Sequence, residues 1–352
     1  MGELVAALPG IDRCVVVADE NVAALYGEIA VTSLETAGLP ARLTTFPAGE
    51  ASKSRASWAE LTDRLLVDGL ARDGLVVALG GGVTGDLAGF VASTYLRGVP
   101  LVSVPTSLLA MLDSSVGGKT GVDTDSGKNL VGTFHHPVLV VVDPDLLSTL
   151  PPRHLRAGMA EGVKMAAIRD ATLFETLEDQ AAELRDGDPA ALLRLIEASV
   201  RHKAEVVAAD PAEAGLRQIL NFGHTAGHAL ETLSGYTLLH GEAVAAGMRL
   251  ESRLGEAVDV TQVGTTARLE ALLDAVGLLP PERWPGVDAL LAAASVDKKI
   301  REGKVRWVLL ERIGAVAPDS RGAWTHELDD GAVVAGLRAA FPAEADVRDS
   351  AS

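Results

Sequence analysis

The run Gly74-Leu75-Val76-Val77-Ala78-Leu79 ends directly on Gly80-Gly81-Gly82-Val83-Thr84-Gly85-Asp86, and no other segment constrains the fold as strongly. An apolar run without polar alternation needs cover on both faces, which a strand obtains inside a parallel sheet flanked by helices. The glycines that follow lead into a helical segment, Leu87–Thr94, so they sit where a strand turns into a helix. Backbone N–H groups at such a turn can approach a phosphate. A glycine-rich turn can also serve close packing alone, and the pattern is not the G-x-G-x-x-G fingerprint in the first βα unit, so the junction by itself leaves both readings open.

Up to about residue 150 further short apolar runs, Cys14–Ala18, Ala41–Phe46, Leu101–Val104 and Val138–Val142, alternate with amphipathic segments at Val22–Ala37 and Trp58–Asp68. Strands alternating with helices imply βαβ units and a mostly parallel sheet, with Val138–Val142 as a second fully covered strand. After Pro151-Pro152 the texture changes to long Ala/Leu/Glu-rich stretches with helical periodicity, reaching about residue 293. Val305–Leu310 is expected as a strand, half of a hairpin, and the polar tail Ala343–Ser352 as frayed. A chain of 352 residues exceeds one ordinary core. The expectation is therefore an α/β domain over 1–150 and a helical domain over 151–352.

A formal charge of −17 leaves no broad basic surface for nucleic acid or an anionic membrane, although a small anionic substrate stays compatible with it. The single cysteine, Cys14, lies in the run Arg13–Val17 and reads as a buried structural thiol. With no charged-then-apolar leader and no run of 18 apolar residues, the expected location is cytoplasmic.

Three groups of residues carry chemistry. Asp113-Ser114-Ser115-Val116-Gly117-Gly118-Lys119 and Gly127-Lys128-Asn129 place two lysines and an asparagine in what reads as glycine-rich loops, suited to a phosphate-bearing ligand. Asn221-Phe222-Gly223-His224-Thr225-Ala226-Gly227-His228 and Leu239-His240-Gly241-Glu242 crowd together three of the eight histidines. His224 and His228 are spaced i, i+4, one face of a helix, while His240 precedes a helical run and can reach in from a loop. Two histidines and one carboxylate form a common catalytic zinc shell, and Glu161, with Lys164 one turn on, is the best distant carboxylate. Any single histidine or lysine of these groups reads more simply as a solvated or structural residue; the clustering favours function.

Together with Tyr95–Pro100, Val104-Pro105-Thr106, Ala160–Lys164 and Leu239–Ala246, these motifs closely resemble 3-dehydroquinate synthases over roughly residues 10 to 340. The resemblance implies a Rossmann-like NAD domain joined to an all-helical metal domain, with the active site between them. It implies Zn²⁺, with Co²⁺ as a substitute, on Glu161, His224 and His240, and moves His228 to the substrate region. Asp113, Lys119, Asn129, Lys164, Lys203, Arg217, Asn221 and a lysine of the pair Lys298-Lys299, assigned as Lys298, are implied as substrate contacts. Arg97 is implied to act from a partner subunit, which makes a homodimer functional. For NAD the resemblance implies Asp19, Glu50, Lys53, Gly81, Gly82, Asp86, Thr106, Ser107, Lys128 and Thr149.

The implied reaction converts a seven-carbon keto-acid sugar phosphate to 3-dehydroquinate by transient oxidation, phosphate elimination, re-reduction and aldol closure. Retention of Asp113, Lys119, Asn129, Arg217 and His228 together favours this substrate over those of the inosose and valiolone cyclases. The aminated analogue of dehydroquinate is the nearest rival product, and a metal-dependent polyol dehydrogenase the more distant rival activity. The chain departs from the family pattern at Ser107, Asp123, Ala226 and Gly162-Val163, and it lacks the strand or hairpin expected before Gly2-Glu3-Leu4; no implied ligand is lost.

Overall fold

A computed structural model describes residues 1–298 and 305–340 and divides the chain into two compact units, Met1–Gly158 and the remainder from Met159. In the first unit a five-stranded parallel sheet has the order β2-β1-β3-β4-β7, with β1 Arg13–Asp19, β2 Ala41–Phe46, β3 Gly74–Gly80, β4 Leu101–Pro105 and β7 Leu139–Val140. Helices α1 (Glu28–Thr36), α2 (Arg55–Val67) and α3 (Gly82–Thr94) intervene.

Strand β3 is buried along its whole length, as its unbroken apolar run requires. Its alternating side chains feed two different cores. Val76 and Ala78 pack with Leu61, Leu65 and Leu87, while Leu75, Val77 and Leu79 pack with Val16, Leu34 and Val104. Each fully buried Val or Leu contributes roughly 1.5–3 kcal/mol, so the sheet rests on apolar side chains from both faces. Cys14 belongs to the second of these cores, and burial pushes its thiol up to about 11.

Two expectations shift. Val138–Val142 yields only the two-residue edge strand β7, half-buried, because an edge position covers it on one side alone. The stretch expected as cationic loops is instead an antiparallel hairpin, β5 (Lys119–Thr124) and β6 (Gly127–Phe134). Its glycines, Gly121 and Gly132, face each other across the strands so closely that no side chain fits.

The second unit is helical. It contains α4 (Pro152–Arg169, from Met159 onward), α5 (Ala171–Asp179), α6 (Ala181–Asp186), α7 (Pro189–Ala209), α8 (His224–Leu233), α9 (His240–Ala257), α10 (Thr265–Ala275), α11 (Val287–Lys298) and α12 (Asp330–Ala340). Asp170 and Asp188 cap α5 and α7 by accepting from Leu173 N and Ala191 N, each worth about 1 kcal/mol. Val305–Leu310 is not the strand expected. Trp307 makes one isolated bridge to His326, and the hairpin starts later, β8 (Leu310–Arg312) with β9 (Ala315–Val316). The bulky residues of that run are used as core: Trp307 and Leu309 pack with Leu250, Leu254 and Leu337. The tail Ala343–Ser352 and Lys299 lie outside the described residues, as does the side chain of Lys298, in the last residue of α11.

Candidate active site

In the first unit, Gly81 precedes α3 and Gly82 opens it, with no side-chain cap on the first turn. Thr106 N donates to Gly80 O at 2.9 Å, which holds the ends of β3 and β4 side by side. Asp19, at the end of β1, accepts from Asn21 N and Val22 N and from Thr84 Oγ1 at 3.4 Å. Thr149 bonds the hydroxyl of Tyr26 at 2.7 Å. The buried Lys53 ammonium pairs with Asp86 Oδ2 at 2.6 Å and donates to Asn129 Oδ1. Burial raises Asp86, and the Lys53 charge pulls it back. Lys128 pairs with Glu50 at 3.2 Å. The fold thus gathers Lys53, Asp86 and Asn129 from three distant places in the sequence. Ser107 follows β4, Asp113 lies in the π-helical turn Ala110–Ser114, Lys119 is exposed at the start of β5, and Arg97 ends the short 3-10 segment Tyr95–Arg97, where both it and Leu96 have positive φ.

Sequence reasoning passed over what holds Asn129. Its φ is +58, in the left-handed region that asparagine tolerates better than most non-glycine residues. Asp123 Oδ1 accepts from Asn129 N at 2.8 Å, while Asp123 N donates to Lys53 O at 2.8 Å. Residue 123 therefore ties the hairpin to Lys53 through its backbone N–H and holds Asn129 through its side chain.

In the second unit, Glu161 and Lys164 lie one turn apart on α4, both about 2% exposed, and form an ion pair. His224 is the first residue of α8. His240, expected in a loop, is the first residue of α9. Both imidazole Nε2 atoms face Glu161 Oε1, at 3.5 Å for His224 and 3.4 Å for His240. His224 Nδ1 lies 3.2 Å from Phe222 O, and His240 Nδ1 lies 3.4 Å from Glu231 Oε2. These contacts turn the Nε2 edges of both rings toward one point.

The electrostatics are polarised. Burial works to raise Glu161, but the Lys164 charge, helped by His240 and His224, holds the carboxyl well below its usual range. Burial, then the Lys164 charge, keeps His224 well below the ordinary imidazole value. Desolvation disfavours charge on His240, yet Glu161 and Glu231 push it up to about 10.

The donor atoms of Glu161, His224 and His240 lie within 4.8 Å of one another, and those of His228, Glu231 and His240 do so as well. The first set fits a divalent metal better. Glu161 Oε2 is paired with Lys164, whereas Oε1 is buried without a hydrogen bond and faces both imidazole Nε2 atoms, which is costly unless a cation completes the group. The donors are also the two imidazoles and one carboxylate that zinc favours. His228 is exposed, its ring 5.4 Å from that of His224.

Lys203, on α7, and Arg217 are buried in this unit, with Arg217 Nη1 donating to Pro211 O. Asp210 gathers the N–H groups of Ala214, Gly215 and Arg217 and so shapes the turn that carries Arg217. Asn221 Nδ2 donates to Glu213 Oε1 at 2.9 Å, a partner with φ +58 that spacing alone did not mark.

Residues 43–157 match the model of the 3-dehydroquinate synthase N-terminal family, and residues 158–300 that of the 3-dehydroquinate synthase C-terminal family. The chain belongs to the 3-dehydroquinate synthase family. A 3-dehydroquinate synthase of Symbiobacterium thermophilum is 52% identical over 317 residues, covering 89% of this chain and 88% of its own. Among solved structures, 2-deoxy-scyllo-inosose synthase complexed with carbaglucose-6-phosphate, NAD⁺ and Co²⁺ matches with a TM-score of 0.87 at 28% identity, covering 96% of this chain and 94% of that one. The 2-epi-5-epi-valiolone synthase of Streptomyces hygroscopicus subsp. jinggangensis 5008, with NAD⁺ and Zn²⁺ bound, matches with a TM-score of 0.85 at 30% identity, covering 97% and 95%. Membership of the 3-dehydroquinate synthase family fits both halves of the geometry, a parallel sheet with a glycine-led helix and a helical unit with a two-histidine, one-carboxylate cluster.

Proposed function

We infer that this chain is a carbon–oxygen lyase that converts 3-deoxy-D-arabino-heptulosonate 7-phosphate to 3-dehydroquinate and phosphate, a step of the shikimate pathway to aromatic amino acids. The observation that carries this is 52% identity to a 3-dehydroquinate synthase over 89% of the chain, joined to an intact Glu161, His224 and His240 cluster. The reaction passes through oxidation by NAD, phosphate elimination, re-reduction and intramolecular aldol closure, so NAD is regenerated in each turnover. Glu161, His224 and His240 would hold a divalent ion, which when bound would supply Lewis acidity toward a substrate hydroxyl.

The chain's own residues supply the rest. Lys119, Lys203 and Arg217 offer charge-assisted hydrogen bonds to the substrate carboxylate and phosphate, the strongest type for such groups. Asp113, Asn129, Lys164, Asn221 and His228 complete the polar contacts. Lys164 also neutralises Glu161 from one side. Gly81 and Gly82 present the start of α3 to the NAD pyrophosphate, where N–H groups and the helix dipole favour negative charge. Asp19, Glu50, Lys53, Asp86, Thr106, Ser107, Lys128 and Thr149 line the remainder of the NAD site.

The first unit serves as the NAD domain and the second as the metal domain, and the active form is a cytoplasmic homodimer in which Arg97 serves the partner subunit. Among the described residues no helix is long and apolar enough to cross a membrane.

The test is direct. Purified protein is incubated with the heptulosonate 7-phosphate, catalytic NAD and Zn²⁺, and phosphate and dehydroquinate are followed together; equimolar release of both is expected. Turnover of an aminated or hexose phosphate instead would assign another cyclase branch. Net NADH accumulation with a polyol would make the chain a dehydrogenase.

A further inference from the structure

Helix α8 has no cap of its own. Its N-cap is Gly223, at φ +79, which has no side chain to accept the N–H groups of the first turn. The acceptor comes from another helix. Glu251, three turns into α9 and with no exposed surface, accepts from Gly223 N at 2.7 Å through Oε2 and from Ala226 N at 3.0 Å through Oε1. We propose that Glu251 is a positioning residue of the metal centre, holding the Phe222–Gly223 peptide plane so that His224 presents Nε2 to the ion. The proposal rests on the reading of Glu161, His224 and His240 as ligands.

The path is short and made of contacts already described. Gly223 N and Phe222 O belong to one planar trans peptide, so the two point in opposite directions. Fixing the N–H on Glu251 fixes where the carbonyl points, and that carbonyl lies 3.2 Å from His224 Nδ1. With the proton on Nδ1 and donated to Phe222 O, Nε2 keeps its lone pair on the side of Glu161.

Packing excludes a capping side chain at the turn itself. A Cβ on Gly223 would meet Met248 Cγ at 2.5 Å and Val244 O at 2.9 Å, and one on Gly247 would meet Gly223 O at 2.0 Å. No longer side chain fits at the cap itself. Glu251 is also retained at a solvation cost, because burial pushes its carboxyl up to about 8 against the pull of the Ala226, Gly223 and Thr225 N–H groups. An apolar side chain would avoid that cost and lose the clamp.

The experiment measures Co²⁺ affinity by its visible absorption, and the His224 tautomer by ¹⁵N NMR of the metal-free protein. The variants are Glu251→Ala, Glu251→Gln, and the packing control Leu254→Ala on the same helix. Expected are a single Nδ1–H tautomer in wild type, about tenfold or greater weakening of Co²⁺ in Glu251→Ala, a smaller loss in Glu251→Gln, and mixed tautomers in both. Leu254→Ala is expected to lower the thermal midpoint while affinity and tautomer stay as in wild type. If Glu251→Ala does not fold, the nearly isosteric Glu251→Gln decides the matter. Affinity within twofold of wild type and an unchanged tautomer in the Glu251 variants overturn the proposal. Wild-type Co²⁺ binding that survives His240→Ala overturns the ligand set instead, and the tautomer measurement then still decides whether Glu251 governs His224.

Discussion

Helices α3 and α8 both follow a glycine N-cap, and they finish their first turns in opposite ways. Helix α3 follows Gly81 with no side-chain cap, whereas α8 follows Gly223 and has its N–H groups taken by Glu251. An N-terminus without a cap keeps its partial positive charge for an anion that arrives later, which is the role proposed for α3 toward the NAD pyrophosphate. An N-terminus capped from within is committed to structure, and what it offers is the side chain it orients, His224. The same residue type at the same helical position therefore has two uses, and the surrounding acceptors decide which.

The largest effect expected is on the capped side. His240→Ala should abolish tight metal binding and lower turnover by about 10³, since Lewis-acid assistance is worth several kcal/mol. His228→Ala should keep much of the metal. Metal analysis of the dialysed variants checks this, and equal loss from both would restore the i, i+4 pair as ligands.

On the other side, Lys53→Ala removes the cation that compensates Asp86 in α3. The fold should lose about 1–3 kcal/mol, because the Asp86 carboxylate left without its partner is only partly shielded from water. Urea denaturation reads this, and a loss under 1 kcal/mol would mean that Asp86 finds another partner.

Gly82→Asp separates the two uses of a helix start. A Cβ there has room, with Ser114 Oγ nearest at 3.5 Å, and an acidic residue in the first turn is favourable to the helix. Stability should hold while NAD affinity falls tenfold or more, measured by calorimetry; unchanged NAD affinity would place the pyrophosphate elsewhere. The smallest effect is expected at Cys14, which is buried with its thiol pushed up to about 11. Thiol reagents should leave it unmodified in the native protein at pH 8 and label it fully in denaturant.

The sequence was most legible where one local pattern had one physical outcome. The unbroken apolar run at Leu75–Leu79 forced a covered central strand, and the glycines after it forced a turn into α3. The histidine crowding pointed to a metal, and the resemblance then named Glu161 and His240 beside His224, atoms the fold brings within reach of one another. Legibility failed where the outcome depended on a distant partner. Val138–Val142 looks as apolar as β3, but it lies at the sheet edge, where Leu139–Val140 is its strand and is only half-buried. Val305–Leu310 has strand composition, yet Trp307 and Leu309 were claimed by a helical core. Glu251 is the clearest case. It is a carboxylate in line with Val244, Gly247 and Met248 on α9, and a charge in an apolar stripe was the only signal; what it binds lies 25 and 28 residues away.

The closeness of α8 and α9 at Gly223, Gly227 and Gly247 bears on motion as well as on geometry. With backbones in contact, neither helix can slide by a fraction of a turn without collision, so separation is all or none. One opening event would remove His224 from His240 and release the Glu251 clamp together. Amide protons along the first turns of both helices should accordingly exchange with a common opening free energy, one cooperative unit set apart from the looser parts of the chain.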